Sequence, residues 1–272
     1  FLGEQGLPFI AIKCTGLLDL YSLEKISNGE YTYESKEYVS FKKRLIELCD
    51  SAVKNNVQVL IDAEETWIQD AIDNVAIELM QIYNRKSSVI FLTHQCYRTG
   101  TLSKIKRNLK VSKEKKYYYG IKLVRGAYME KERNRALQNG YNSPIQPSKL
   151  STDKEYNESL KFGIENIENA SLWIGSHNEE SSLYLINLMK DNNLRPEDKR
   201  VWLSQLYGMS DNISYALSSQ GYNIIKLIPF GPIDKTIPYL IRRANENSSV
   251  KGQSNRQFTL IKKEINRRKN LN

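Results

Sequence analysis

The segment IPYLIRRANENSSV at 237–250 carries the densest chemistry in the chain. Placed on a helix, Tyr239, Arg242, Arg243 and Glu246 fall at i, i+3, i+4 and i+7, so a phenol, two guanidinium groups and a carboxylate share one face. Paired guanidinium forks match the two oxygens of a carboxylate ligand, and Glu246 stands where it can orient one fork. A solvated Arg242–Glu246 pair explains the same spacing at about 0.3–0.5 kcal/mol. The remaining candidates come in short polar groups: Lys13, Asp62 with Glu64, Gln95, Lys122 to Arg125, Ser176-His177-Asn178, and Ser204-Gln205. Any one of them is explained by a chain segment reaching the surface. Taken together they outline the mouth of a barrel enzyme.

Each group closes an apolar run. The runs are PFIAIK (8–13), VQVLIDA (57–63), SVIFLTHQ (88–95), YYYGIKLVRG (117–126), SLWIGSH (171–177), RVWLSQLYG (200–208) and YNIIKLIPFG (222–231). Short, rich in β-branched and aromatic residues, they read as strands buried on both faces. Amphipathic stretches separate them. The segment 41–56 places Phe41, Leu45, Ile46, Leu48 and Val53 near one face, and 71–86 does so with Ile72, Val75, Leu79 and Ile82. The segments 158–167, 179–193 and 212–221 follow the same pattern. Strand alternating with helix predicts a parallel sheet.

Seven such strands suggest an α/β fold of the (β/α)₈ barrel type lacking one strand, as a single domain over 1–272. A doubly wound open sheet is the competitor. No G-x-G-x-x-G follows the first strand, and polar residues gather at the C-terminal strand ends, where a barrel builds its site. The opening FLGEQGLPFIAIK reads as the start of a fragment, with the missing strand expected upstream.

Composition narrows the function classes. No run of eighteen apolar residues is present to span a membrane. The net charge of +9 favours an anionic partner: nucleic acid, a membrane surface or a phosphate-bearing cofactor. The small clusters at Lys113–Lys116 and Lys262–Lys269 also read as plain solvated faces. Three cysteines, Cys14, Cys49 and Cys96, form no CxxC pair, and with two histidines no metal site is expected. The thiols are expected to be free, as in a reducing compartment.

The segment PYLIRRANEN resembles the C-terminal signature of the proline dehydrogenase family. The likeness continues through VLIDAEETWIQ (59–69), FLTHQCY (91–97), GIKLVRGAYMEKER (120–133), GSHNEE (175–180), QLYGMSD (205–211) and KLIPFGP (226–232), in the family's order. It is nearest to the monofunctional type of mitochondria and many bacteria. The resemblance implies a (β/α)₈ barrel with its final helix over the mouth, and FAD as cofactor. It implies oxidation of L-proline to pyrroline-5-carboxylate, the first step of proline catabolism, by hydride transfer from C5 to flavin N5. It also implies a quinone acceptor at a membrane surface, either the bacterial inner membrane or the matrix side of the mitochondrial one.

Residue roles follow from the same likeness. Lys13, Arg242 and Arg243 match the groups that bind the proline carboxylate, and Glu246 the residue that orients the arginines. Asp62 matches a member of the substrate network, Tyr128 and Tyr239 line the pocket, and Leu206 forms its apolar floor. Toward FAD, Gln95 matches a flavin contact and Lys122 the basic residue beside N5. Val124, Gly126 and Ala127 match the strand and turn that pass close to the cofactor, with glycine expected because a side chain would block that approach. Ser176, His177 and Asn178 match a second flavin-contacting strand end, and Lys149 and Thr152 the residues that approach the adenosine part. Ser204 and Leu227 are counted with the cofactor-facing set, although they depart from the family pattern. Ser204 stands where many bacterial members carry glutamine, and Met129 where they carry an aromatic residue. Leu227 stands where proline-oxidising members usually carry tyrosine, which keeps a hydroxyproline dehydrogenase open as an alternative. Two further classes compete: a Schiff-base aldolase using Lys13, and a nucleic-acid binder suggested by the +9 charge alone, without a basic-aromatic repeat.

Overall fold

The computed structural model describes residues 6, 8–234, 236–238, 240, 241, 262, 265, 266 and 269. Tyr239, Arg242, Arg243 and Glu246 lie outside the described residues, and so does the expected placement of a final helix over the mouth. The chain divides into two compact units, 1–226 and 227–272.

All seven apolar runs form strands: β1 (Phe9–Ile12), β2 (Gln58–Ile61), β3 (Ile90–Gln95), β4 (Tyr119–Val124), β5 (Ala170–Gly175), β6 (Val201–Leu206) and β7 (Ile224–Leu227). They make one seven-stranded sheet in sequence order, and β1 through β6 pair parallel with their neighbours. Eight α-helices connect them: α1 (Leu20–Ser27), α2 (Lys36–Lys54), α3 (Thr66–Tyr83), α4 (Thr101–Glu114), α5 (Met129–Asn139), α6 (Lys149–Glu165), α7 (Glu179–Asp191) and α8 (Asp211–Ser218). The sheet is strongly curled. Phe9 on β1 and Trp202 on β6 are five strands apart, about 24 Å in a flat sheet. Their ring centroids lie 4.9 Å apart.

Strand alternation sorts the side chains. Leu60, Phe91 and Trp173, with Phe9, Trp202 and Ile225 packed against them, form a small apolar plug on the concave face. The larger core lies on the other face, between sheet and helices, and includes Val59, Ile61, Leu92, Ile121, Leu123, Leu172, Ile174 and Leu203. Two residues beyond a plug residue come Asp62, Thr93, Ser204 and Leu227, and Gln95 lies two beyond Thr93, all on the same parity. The β3–β4 register pairs Thr93 with Lys122 and Gln95 with Val124, which sets β4 in phase.

Local chemistry starts several helices. Asp19 caps α1 through Ser22 N (2.9 Å), Ser148 caps α6 through Ser151 N (3.1 Å), and Asn178 caps α7 through Ser181 N (2.8 Å). Two expected faces need correction. On α2, Leu48 and Val53 are exposed and Cys49 and Ala52 are buried instead, because the contact stripe runs through Phe41, Leu45, Cys49 and Ala52. On α3, Ile82 is exposed while Ile72, Val75 and Leu79 are buried. Helices α1, α4 and α5 were not among the amphipathic stretches named from the sequence. Only Glu132 and Ala136 of α5 are buried, so its sequence shows almost no apolar period. The three cysteines are free and buried. Among the described residues no helix is long and apolar enough to cross a membrane.

Candidate active site

The strand ends bring two cation-containing pairs to the concave face. Lys122, buried within β4, places Nζ 2.5 Å from Asp62 Oδ1 at the end of β2. Lys13, just past β1, donates from Nζ to Tyr128 Oη at 3.0 Å. Desolvation opposes the Lys13 charge, but Asp62, Tyr128 and Glu64 outweigh it and hold this ammonium above the ordinary lysine range. A Schiff-base nucleophile needs a neutral amine. Lys13 is set up as a fixed cation instead.

Behind this pair runs a chain of buried hydrogen bonds. Gln95 Nε2 donates to Glu64 O (2.7 Å), Glu64 N to Gln69 Oε1 (2.8 Å), and Gln69 Nε2 to Asp73 Oδ1 (2.7 Å). Asp73 is ion-paired with Lys104. The Glu64 carboxylate accepts from Thr15 N (3.0 Å) and Thr15 Oγ1 (2.7 Å), joining the turn after β1 to the end of β2. Gln95 thus has its amide nitrogen fixed, which sets the direction of its carbonyl.

Arg125, immediately past β4, ties together four elements. Its Nε donates to Asp153 Oδ1 (2.6 Å), Nη1 to Ser176 Oγ (3.0 Å) and Nη2 to Ser181 Oγ (3.0 Å), while the guanidinium lies 4.4 Å from the Tyr156 ring centroid. Burial works to raise the Asp153 carboxyl, but Lys149 and Arg125 overcome it and hold the group below the usual carboxylate range. The sequence marked Arg125 only as part of a polar strand end. Its partners are 28 to 56 residues away, and no local pattern announces them.

The other expected residues are placed as follows. Ser204 Oγ accepts from Trp173 Nε1 at 2.9 Å, so its hydroxyl is engaged by the plug. Ser176 Oγ accepts from Arg125 and from Asn178 N (3.1 Å), and the Asn178 side chain is taken up in capping α7. His177 bonds Ser210 Oγ through Nδ1 at 3.0 Å. Lys149 is exposed and pairs with Asp153 at 2.5 Å, whereas Thr152 is buried and turns its hydroxyl to Ser148 O (3.2 Å). Val124 and Leu206 are half-buried at their strand ends, Ala127 is exposed, and Leu227 is the half-buried last residue of β7.

Gly126 also has a reason within the chain itself. Its φ is +130°, and a Cβ built there would lie 2.4 Å from the Tyr97 ring. The glycine makes room for Tyr97, a buried side chain of this same chain, and its positive φ adds a second demand. Tyr97 and the fully buried Glu132 both support this turn, and neither was singled out from the sequence.

The proline dehydrogenase family model matches residues 14–256. Proline dehydrogenase 1, mitochondrial, of Caenorhabditis elegans is 36% identical over 252 residues, covering 91% of this chain and 41% of the relative. Hydroxyproline dehydrogenase of Xenopus laevis is 36% identical over 230 residues, covering 83% and 49%. The chain therefore spans between two fifths and one half of the length of these relatives. Among solved structures, proline utilization A from Bdellovibrio bacteriovorus inactivated by N-propargylglycine superposes with a TM-score of 0.79 at 22% identity, covering 89% of this chain and 24% of that one. That likeness gives the fold, and it agrees with a curled parallel α/β barrel sheet. On the family match across most of its length, this chain belongs to the proline dehydrogenase family.

Proposed function

We propose that this chain is the catalytic barrel of an FAD-dependent enzyme that oxidises L-proline to pyrroline-5-carboxylate. The observation that carries the reading is the Lys122–Asp62 and Lys13–Tyr128 pairs together on the concave face, at positions the sequence resemblance assigns to the site. The residues present fit a flavin. Gly175 and Ser204 are small and lie two residues beyond Trp173 and Trp202, and Val124 stands beside Gln95 in register, toward the C-terminal strand ends. Below them Trp173 and Trp202 stack at 6.2 Å and 15° and, with Phe9, fill the barrel beneath the strand ends. Lys122 and Gln95 supply polar groups at its edge, and the exposed ammonium of Lys149 suits a phosphate.

Bound FAD would supply a two-electron acceptor at N5 for the hydride leaving C5. The protein's part is binding and orientation. Lys13, with Arg242 and Arg243, would hold the substrate carboxylate, and the Tyr128 hydroxyl fixes where the Lys13 ammonium points. The substrate amine must be neutral when the hydride leaves, because its lone pair stabilises the developing iminium. Lys122, anchored by Asp62, would supply a positive charge beside the ring as negative charge develops on it. A quinone at a membrane surface is the acceptor this reading calls for, and the basic excess favours approach to anionic lipid. The Caenorhabditis elegans relative is named mitochondrial, and the same address is proposed if this chain is eukaryotic.

A second reading, oxidation of hydroxyproline, is favoured by Leu227 and by the Xenopus relative. An absorbance spectrum of the complete protein decides both. Bleaching of a flavin band by L-proline supports the first reading, faster bleaching by trans-4-hydroxy-L-proline supports the second, and no flavin band refutes both.

A further inference from the structure

We infer that Glu132 is a positioning residue for Tyr128, which it holds by capping a different helix. The inference rests on the reading that Tyr128 lines the substrate pocket. Glu132 sits in the first turn of α5, and its amide donates to Tyr128 O at 2.9 Å. Its side chain is fully buried. Both carboxylate oxygens reach the first residue of α3: Oε1 accepts from Thr66 N at 2.7 Å and Oε2 from Thr66 Oγ1 at 2.6 Å. Glu65, at the cap position of α3, makes no side-chain cap bond. A carboxylate from 66 residues away therefore supplies the cap. It meets the positive end of the α3 dipole through two charge-assisted bonds.

Position explains why this bears on the site. Thr66 lies four residues beyond Asp62, and Tyr128 lies four residues before Glu132. The carboxylate thus joins the segment that follows β2 to the segment that follows β4. Tyr128 itself is only half-buried. It stands on a turn with Gly126 at positive φ, packed against Tyr97 on one side. The start of α5 fixes the other side. Lys131 reinforces the same seam by pairing with Glu65 and lying 5.4 Å from the Trp67 ring centroid. The Lys131 side chain is 56% exposed whereas Glu132 is fully buried, so the Glu132 link is the better shielded from water and salt.

The experiment is a double-mutant cycle in the complete protein, reading the affinity of the proline analogue tetrahydro-2-furoate by flavin absorbance. Glu132→Gln removes the charge and turns an amide NH₂ toward a site that needs an acceptor. Alone it should weaken the analogue about ten-fold; in a Tyr128→Phe background the further loss should be under about twofold, because both changes act through one hydroxyl. Equal losses in the two backgrounds overturn the proposal and leave Glu132 a cap serving stability alone. If Glu132→Gln does not fold, Thr66→Val, which deletes one of the two donors, enters the same cycle with the same criterion. A second readout needs no ligand: nitration of Tyr128 by tetranitromethane, followed by peptide mapping, should speed up at least about threefold in Glu132→Gln. An unchanged rate also overturns the proposal. If the parent protein fails to bind the analogue, the pocket reading falls, while the nitration rate still decides whether Glu132 holds Tyr128.

Discussion

Asp62→Asn tests the electrostatics of the site most directly. The change keeps the shape of the side chain and one acceptor oxygen but removes the charge facing Lys122 across 2.5 Å. Breaking a fully buried pair costs about 3–5 kcal/mol, because an uncompensated charge is left behind. An exposed pair is worth about 0–1 kcal/mol. The Lys122 side chain is 8% exposed and that of Asp62 22%, which places this pair nearer the buried limit. With the retained acceptor, a loss of about 2–3 kcal/mol is expected. For a domain of this size that lowers Tm by about 4–10 °C. Urea unfolding of parent and variant, with equal m-values, measures the loss. A change under about 1 kcal/mol would mean that Lys122 finds another partner or water, and the buried-pair argument would fail. Flavin potential gives a second axis. Asp62→Asn leaves the Lys122 cation uncompensated and should raise the potential, whereas Lys122→Ala should lower it. Shifts of the same sign would remove Lys122 from the flavin edge.

Three further outcomes are expected. His94 is buried, and burial first, then Lys104 and Arg98, depress its pKa to about 3. Its Nε2 lies 3.0 Å from Tyr119 Oη, which itself accepts from Asn108 Nδ2, so the neutral imidazole accepts a hydrogen bond from the tyrosine hydroxyl. A depressed histidine pKa means that the unfolded chain binds the extra proton first. Stability is therefore complete above about pH 6.5 and falls by up to about 1.4 kcal/mol per unit toward pH 3; urea midpoints of parent and His94→Gln across that window should converge as pH drops, and parallel profiles would refute the assignment. Gly126→Ala should destabilise by about 2 kcal/mol or more through positive φ and collision with Tyr97, and a neutral result in the same denaturation assay would show that the ring yields freely. Arg242→Met and Arg243→Met should each weaken tetrahydro-2-furoate about ten- to a hundred-fold while FAD stays bound; unchanged titrations in both would remove the carboxylate clamp from the proposed function.

The sequence by itself determined the seven strands, their parallel order and the barrel class. Each strand is a short apolar run between helical segments, a pattern that leaves few topologies open. It also determined the strand-end candidates, since polar residues close the apolar runs at their C-terminal ends, where a barrel builds its site. Lys13, Asp62, Gln95 and Lys122 were readable on that basis together with the family likeness. Tertiary structure alone decided which of them touch. Lys122 and Asp62 are 60 residues apart, Lys13 and Tyr128 115, and register and curl bring each pair together. The same holds for the supports nobody could mark locally: Tyr97 beneath Gly126, Arg125 joined to Asp153, Ser176 and Ser181, and Glu132 capping a helix that is not its own. Periodicity reports which face of an element is apolar. A buried charge is specified by its partner, and the chain brings that partner near only when it folds.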